Sequence, residues 1–138
     1  MIKAYFSAFV RGHDGDNVSP EVKDANVREG MAIGLAIRKA FPELDLFIPH
    51  EHEVVVDKLW RLGFLSSSQI IKACCALVEE MDLLIVYTGR GISDGMQQEV
   101  EAARAKGVIV VCFDRWDDQA REDIANAIDF VSQNKAFS

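Results

Sequence analysis

The sequence predicts an α/β protein: a single Rossmann-like (flavodoxin-like) domain over residues 1–138, with a mostly parallel sheet of four to five strands flanked by helices. Three observations carry this. Strand-like and helix-like segments alternate from end to end, with no internal repeat. Leu83 to Tyr87 and Val108 to Phe113 are apolar runs with little alternation, as central parallel strands covered on both faces require. Between them lie a glycine-rich loop and a helix, Gly95 to Lys106, closed by Gly107 in the C′ role.

The remaining elements follow in order. Ile2 to Val10 reads as the first strand and Arg11 to Ser19 as a polar loop, whose Asp14-Gly15-Asp16-Asn17 stretch is expected to be mobile and to cover the site. Ser19-Pro20 is an N-cap and first helical residue. That helix runs to about Ala40, with Ala25, Met31, Leu35 and Ala36 as inward candidates. Leu44 to Ile48 is a strand stopped by Pro49, and Asp57 to Phe64 a short helix. One of Ser66, Ser67 and Ser68 caps a helix carrying Ile70, Ile71, Ala73, Cys74, Leu77 and Val78. The last helix runs from about Asp117 to Ile128. Phe130-Val131 either continues it or forms a short edge strand.

Composition narrows the function. Apolar residues make up 49% and charged residues 27%, enough of each for a globular core with a solvated surface. The formal net charge of −7 argues against wide contact with a nucleic-acid polymer, yet one or two local Arg residues can still hold a small anion. Cys74, Cys75 and Cys112 form no disulfide framework, and no CxxC points to zinc. No apolar run is long enough to span a membrane, and the chain opens on a strand rather than a basic leader. A cytoplasmic location is the expectation.

In an open α/β sheet, ligands bind at the carboxyl ends of strands. Three loops fit that place. The loop Thr88-Gly89-Arg90-Gly91-Ile92-Ser93-Asp94-Gly95 has glycines for tight turns and leads into a helix start whose amides can bind an anion. It lacks the Lys-Ser/Thr of a Walker A loop. At roughly 100° per residue, Glu99 falls at the edge of the Met96, Val100 and Ala103 face, and Glu101 points to solvent. Glu99 thus either presents a carboxylate to a ligand or merely favours the helix start electrostatically. After the first strand, Arg11 is either a phosphate clamp or a solvated surface residue. Asp14-Gly15-Asp16-Asn17 fails as a calcium loop, because its twelfth position is Ala25. His50-Glu51-His52-Glu53 lacks HExxH spacing, so no metal is expected. His50 is a pocket residue or an ordinary surface histidine.

Together these residues resemble a family. Tyr5 with Arg11-Gly12, Pro49-His50, Asp82-Leu83-Leu84-Ile85-Val86, and Ser93-x-Gly95-x-x-x-Glu99 with Ala103 and Gly107 resemble the nucleoside 2-deoxyribosyltransferase superfamily, most closely the 2′-deoxynucleoside 5′-monophosphate N-glycosidases. The resemblance covers roughly residues 1 to 113. It implies that Glu99 attacks the anomeric carbon of a sugar and expels the base, leaving a glycosyl ester that water or a second base resolves. It places Arg11, Ser93 and Gly95 at a 5′-phosphate, Tyr5 beside the catalytic Glu and His50 near the base. It implies a homo-oligomer of two or more chains, and no cofactor is expected. Trp60, Leu62 and Phe64 are either interface or core, and Asn134 to Ser138 are candidates for reaching a neighbour's pocket. Asp82, at the far end of its strand, reads as structural.

Two departures stand out. Cys74 occupies the place of the family's second Asp, and Ala8-Phe9 replaces a small Gly-Ser pair, so that Phe9 is expected to reshape the phosphate site. An N-glycosidase or deoxyribosyltransferase-like enzyme is the leading expectation. A non-catalytic nucleotide-binding module or sensor, or a glycohydrolase of a dinucleotide such as NAD, are the alternatives.

Overall fold

The computed structural model describes residues 1–136. Four strands, β1 (Ile2–Ser7), β2 (Leu44–Phe47), β3 (Leu83–Tyr87) and β4 (Ile109–Phe113), form one all-parallel sheet in the order β2-β1-β3-β4. The helices are α1 (Pro20–Ala40), α2 (Glu53–Arg61), α3 (Ser67–Glu79), α4 (Asp94–Ala105) and α5 (Asp118–Ala136). The Rossmann-like α/β expectation holds, with four strands.

Strand parity divides the core. Ala4, Phe6, Leu83 and Ile85 face Ile37 of α1 and Ile124, Ile128 and Val131 of α5. Tyr5, Leu84 and Val86 face the other way, onto Val78 of α3 and Met96, Val100 and Ala103 of α4. With both faces covered, β3 tolerates an unbroken apolar run, whereas β4, expected to be central as well, is an edge strand with Ile109, Val110 and Val111 half-buried and Cys112 exposed. Tyr5 and Ser7 therefore point toward α4, the helix that carries Glu99.

The connections place the crevice. The chain goes from β1 through α1 to β2 on one side, then returns past β1 to β3 on the other. The order reverses between β1 and β3, and the space outside their carboxyl ends is where such a sheet binds ligands.

Several boundaries differ from expectation. β1 stops at Ser7, not Val10, because its ladder to β3 ends at the Ser7–Val86 pair. Beyond it, side chains replace the sheet: His50 Nε2 lies 3.0 Å from the Phe9 carbonyl, and Asn26 Nδ2 donates to the Val10 carbonyl at 2.9 Å. The inward stripe of α1 is Lys23, Asn26, Gly30, Gly34 and Ile37, whereas Leu35 is 45% exposed. Glycine lets α1 approach closely, since Gly30 abuts the His50 ring and Gly34 abuts Ile48. α2 begins at Glu53, four residues before Asp57, and ends at Arg61. α5 continues through Phe130-Val131 to Ala136, burying Val131 one turn after Ile128, so no edge strand forms there. Of the segment Asn134 to Ser138, residues 137–138 lie outside the described residues.

Other local readings hold. Ser19 Oγ accepts from Val22 N, and Ser66, with Gln69, forms the capping box of α3. Gly107 has φ +73°, the left-handed cap after α4. Asp82 Oδ2 accepts from Lys3 N at 2.9 Å and pairs with Lys135 at 3.0 Å, tying the far end of the sheet to α5. No helix among the described residues is long and apolar enough to cross a membrane.

Candidate active site

The site is assembled from the first turns of α4 and the end of β1. Ser93 Oγ accepts from Met96 N at 3.2 Å and fixes the start of α4. One turn later, helix phase turns Glu99 inward with Met96, Val100 and Ala103, and Glu99 is 7% exposed. Ser7 reaches it from β1: its hydroxyl donates to Glu99 Oε1 at 2.8 Å. The Tyr5 hydroxyl, two residues earlier on the same strand face, makes a second hydrogen bond to Glu99 and another with Cys74.

Burial decides the electrostatics. Desolvation holds the Glu99 carboxyl above its ordinary range, and the hydrogen bonds from Tyr5 and Ser7 oppose this. Burial, then the charge of Glu99, pushes the Tyr5 phenol well up, so it remains a neutral donor. Burial also raises the Cys74 thiol, against its hydrogen bond with Tyr5.

A cavity of about 320 Å³ opens in front of this trio. Its walls include Tyr5, Ser7, Arg11, His50, Cys74, Ser93, Gly95 and Glu99, drawn from four separate parts of the chain. Arg11 stacks on Trp60 of α2, with its guanidinium carbon 4.6 Å from the ring centroid. Its Nε and Nη2 are buried and have no protein partner. Gly95, in the first turn of α4, lines the cavity and packs near Ile71, which an added Cβ would meet at 3.6 Å.

His50 is 4% exposed. A carbonyl only accepts, so the contact with Phe9 O places the ring hydrogen on Nε2. Nδ1 is then a bare acceptor, buried and unpartnered. Burial lowers the basicity of the ring, opposed by the Phe9 carbonyl, and keeps it neutral.

Phe9 is the exception among the expected site residues. It is absent from the cavity wall and packs in the core with Tyr5 and Val86, edge-on to His13 and against Gly12. Its position after the end of β1 swings it behind the wall. The four residues after Pro49 also diverge. His50 points inward, Glu51 pairs with Arg38, His52 stacks on Phe47 and Glu53 pairs with Lys23. Among the described residues no three His, Cys, Asp or Glu side chains gather as metal ligands.

Comparison of the chain with protein-family models, curated proteins and solved structures returned no match.

The structure adds residues that sequence reading missed. Ser7 was signalled by its i, i+2 relation to Tyr5 on one strand face. Glu53 and Asp16 also line the cavity. Asp16 belongs to the 3-10 segment Gly12–Asn17, which is not a free loop: Ser67 of α3 hydrogen-bonds Asp16 and pins the segment. Lys23, buried in α1, pairs with Glu53 at 2.7 Å and with Asp57, and so docks α2. A lysine on an otherwise small-residue helix face gave no clear sign of that role in sequence.

Proposed function

We propose that this protein cleaves the N-glycosidic bond of a nucleoside or nucleoside 5′-monophosphate, with Glu99 as nucleophile. The observation that carries the reading is the Ser7–Glu99 hydrogen bond of 2.8 Å at the wall of an open cavity. A buried carboxylate held by two hydroxyls is aimed, poorly solvated, and therefore reactive toward an electron-poor sugar carbon. The oxocarbenium-like transition state gains from that negative charge, and capture as an ester splits one difficult step into two. Tyr5 and Ser7 orient the carboxylate.

The cavity size suits a mononucleotide. Arg11, with unpaired donors, and the cavity-lining start of α4 at Gly95 are the groups available to a 5′-phosphate. His50 Nδ1 offers an acceptor to a ligand N–H or O–H. Self-association and a cytoplasmic location belong to the same reading. Val54, Val55, Leu62 and Phe64, all exposed on or just after α2, are the apolar surface available to a second copy, and light scattering tests it.

The deciding experiment incubates the protein with a panel of nucleosides and 5′-monophosphates and measures free base by chromatography. Release by the wild type and background release by Glu99→Ala are expected. Equal release by both overturns the reading. Tight nucleotide binding without any turnover replaces it with a binding module.

A further inference from the structure

Expelling an uncharged nucleobase leaves a pair of electrons on nitrogen, and the departing base normally takes up a proton from a positioned acid. The side chains beside Glu99 are poor sources of one. Tyr5 is a phenol whose hydrogen bonds run to Glu99 and Cys74, and Cys74 is a thiol that burial makes less acidic still. Ser7 spends its hydrogen on Glu99 itself. Across the cavity, His50 is neutral, and its one N–H is committed to the Phe9 carbonyl. Glu53 is paired with Lys23, Asp16 accepts from Ser67, and Asp94 and His13 are exposed to solvent. Among the described residues, the cavity therefore holds a nucleophile with no acid dedicated to the leaving group.

The charge of the wall gives a second, independent indication. Asp16, Asp94 and Glu99 line the cavity against the single guanidinium of Arg11, the charge of Glu53 being met by Lys23. Such a lining attracts a cation and disfavours a further negative charge on the departing base.

We propose, building on the glycosidase reading, that the substrates are nucleosides or nucleotides whose base is already cationic, such as an N-glycosyl pyridinium or an N7-alkylated purine. A Glu99 carboxylate oxygen bonds to the anomeric carbon as the carbon–nitrogen bond breaks. The electron pair goes to the ring nitrogen and cancels its positive charge, so a neutral base leaves with no proton delivered. Water then attacks the anomeric carbon, the ester bond breaks, the carboxylate is regenerated and one proton goes to solvent. Bringing a cation beside Glu99 also favours the ionised, nucleophilic form of a carboxyl whose ionisation burial disfavours.

The test compares nicotinamide mononucleotide with guanosine and inosine monophosphates, each in ribo and 2′-deoxy form. Each rate is divided by that of spontaneous cleavage, so that the intrinsic lability of pyridinium glycosides cancels. The expected acceleration is larger for the cationic base by roughly a hundredfold or more, the scale of an absent general acid. Cys74→Asp, which places a carboxyl beside Tyr5, is expected to raise the acceleration on uncharged bases by about tenfold or more and so narrow the gap. Equal Glu99-dependent accelerations on both classes overturn the proposal and leave the glycosidase reading standing. A folded Cys74→Asp protein with the wild-type ratio also overturns it. If that variant does not fold, the wild-type comparison decides. Release that is unchanged by Glu99→Gln, or absent from every compound, overturns both.

Discussion

Gly30 and His50 meet backbone against ring: a Cβ at position 30 would lie 2.4 Å from Nε2 of His50. The ring cannot retreat without breaking its contact with the Phe9 carbonyl, which has no strand partner there. Gly30→Ala is therefore expected to destabilise the fold by about 3 kcal/mol, from overpacking together with a strained buried hydrogen bond. Urea denaturation measures it. A loss within experimental error of zero would show that the α1–His50 contact is more yielding than described.

Glu99→Gln separates stability from activity. The folded state holds the carboxyl above its ordinary value of 4.5, so the native protein binds more protons than the unfolded chain as pH rises past that value. Stability is thereby lost as pH climbs through the raised range, and the loss persists at neutral pH. The glutamine variant escapes this, and its melting temperature at neutral pH is expected to exceed that of wild type. The difference should vanish below the ordinary carboxylate value. Base release should disappear in the same variant.

Ser7→Ala removes one of the two donors that favour ionised Glu99. The carboxyl should then be held higher still. Activity requires the carboxylate, so the acidic limb of the rate profile should move to higher pH in Ser7→Ala, with the rate recovering as pH rises. Ser7→Thr, which keeps the hydroxyl, should restore the limb. Loss of rate at every pH, with the limb unmoved, would assign Ser7 a purely structural role.

Arg11 should discriminate between nucleotides and nucleosides. Its unpaired buried donors fit a phosphate, and charge-assisted bonds of that kind contribute about 1.5–3 kcal/mol. Arg11→Ala is expected to raise KM for monophosphates by roughly tenfold to a hundredfold, leaving nucleosides much less affected. Steady-state kinetics on matched pairs checks this. An equal loss on both would make Arg11 a support for α2 through Trp60.

The fold and the Glu99 corner were legible because local physics and global packing agree there. The apolar run of β3 is a central strand covered on both faces, and the Ser93 cap sets the phase that turns Glu99 inward; β4, whose run reads the same way, is the edge strand, with Cys112 exposed. The rest depended on contacts between distant segments. The family resemblance made Phe9 look like a site residue, but β1 ends at Ser7 and Phe9 packs in the core beyond it. Leu35 looked inward by hydropathy, yet the packed stripe of α1 is Gly30 and Gly34, because α1 lies too close to His50 and Ile48 for larger side chains. The pairing of Asp16 with Ser67 joins positions 51 residues apart, which no local pattern reveals.

One oxygen of Asp82 receives both Lys3 N and Lys135, so the two ends of the described chain meet at the amino-terminal edge of the sheet. The cavity lies at the opposite edge. A short bridge between the neighbourhoods of Lys3 and Lys135 would run along that far edge without crossing the ligand's path. The same geometry lets a solid support or a fluorescent reporter be attached near Lys3 or Lys135 with the binding mouth facing outward.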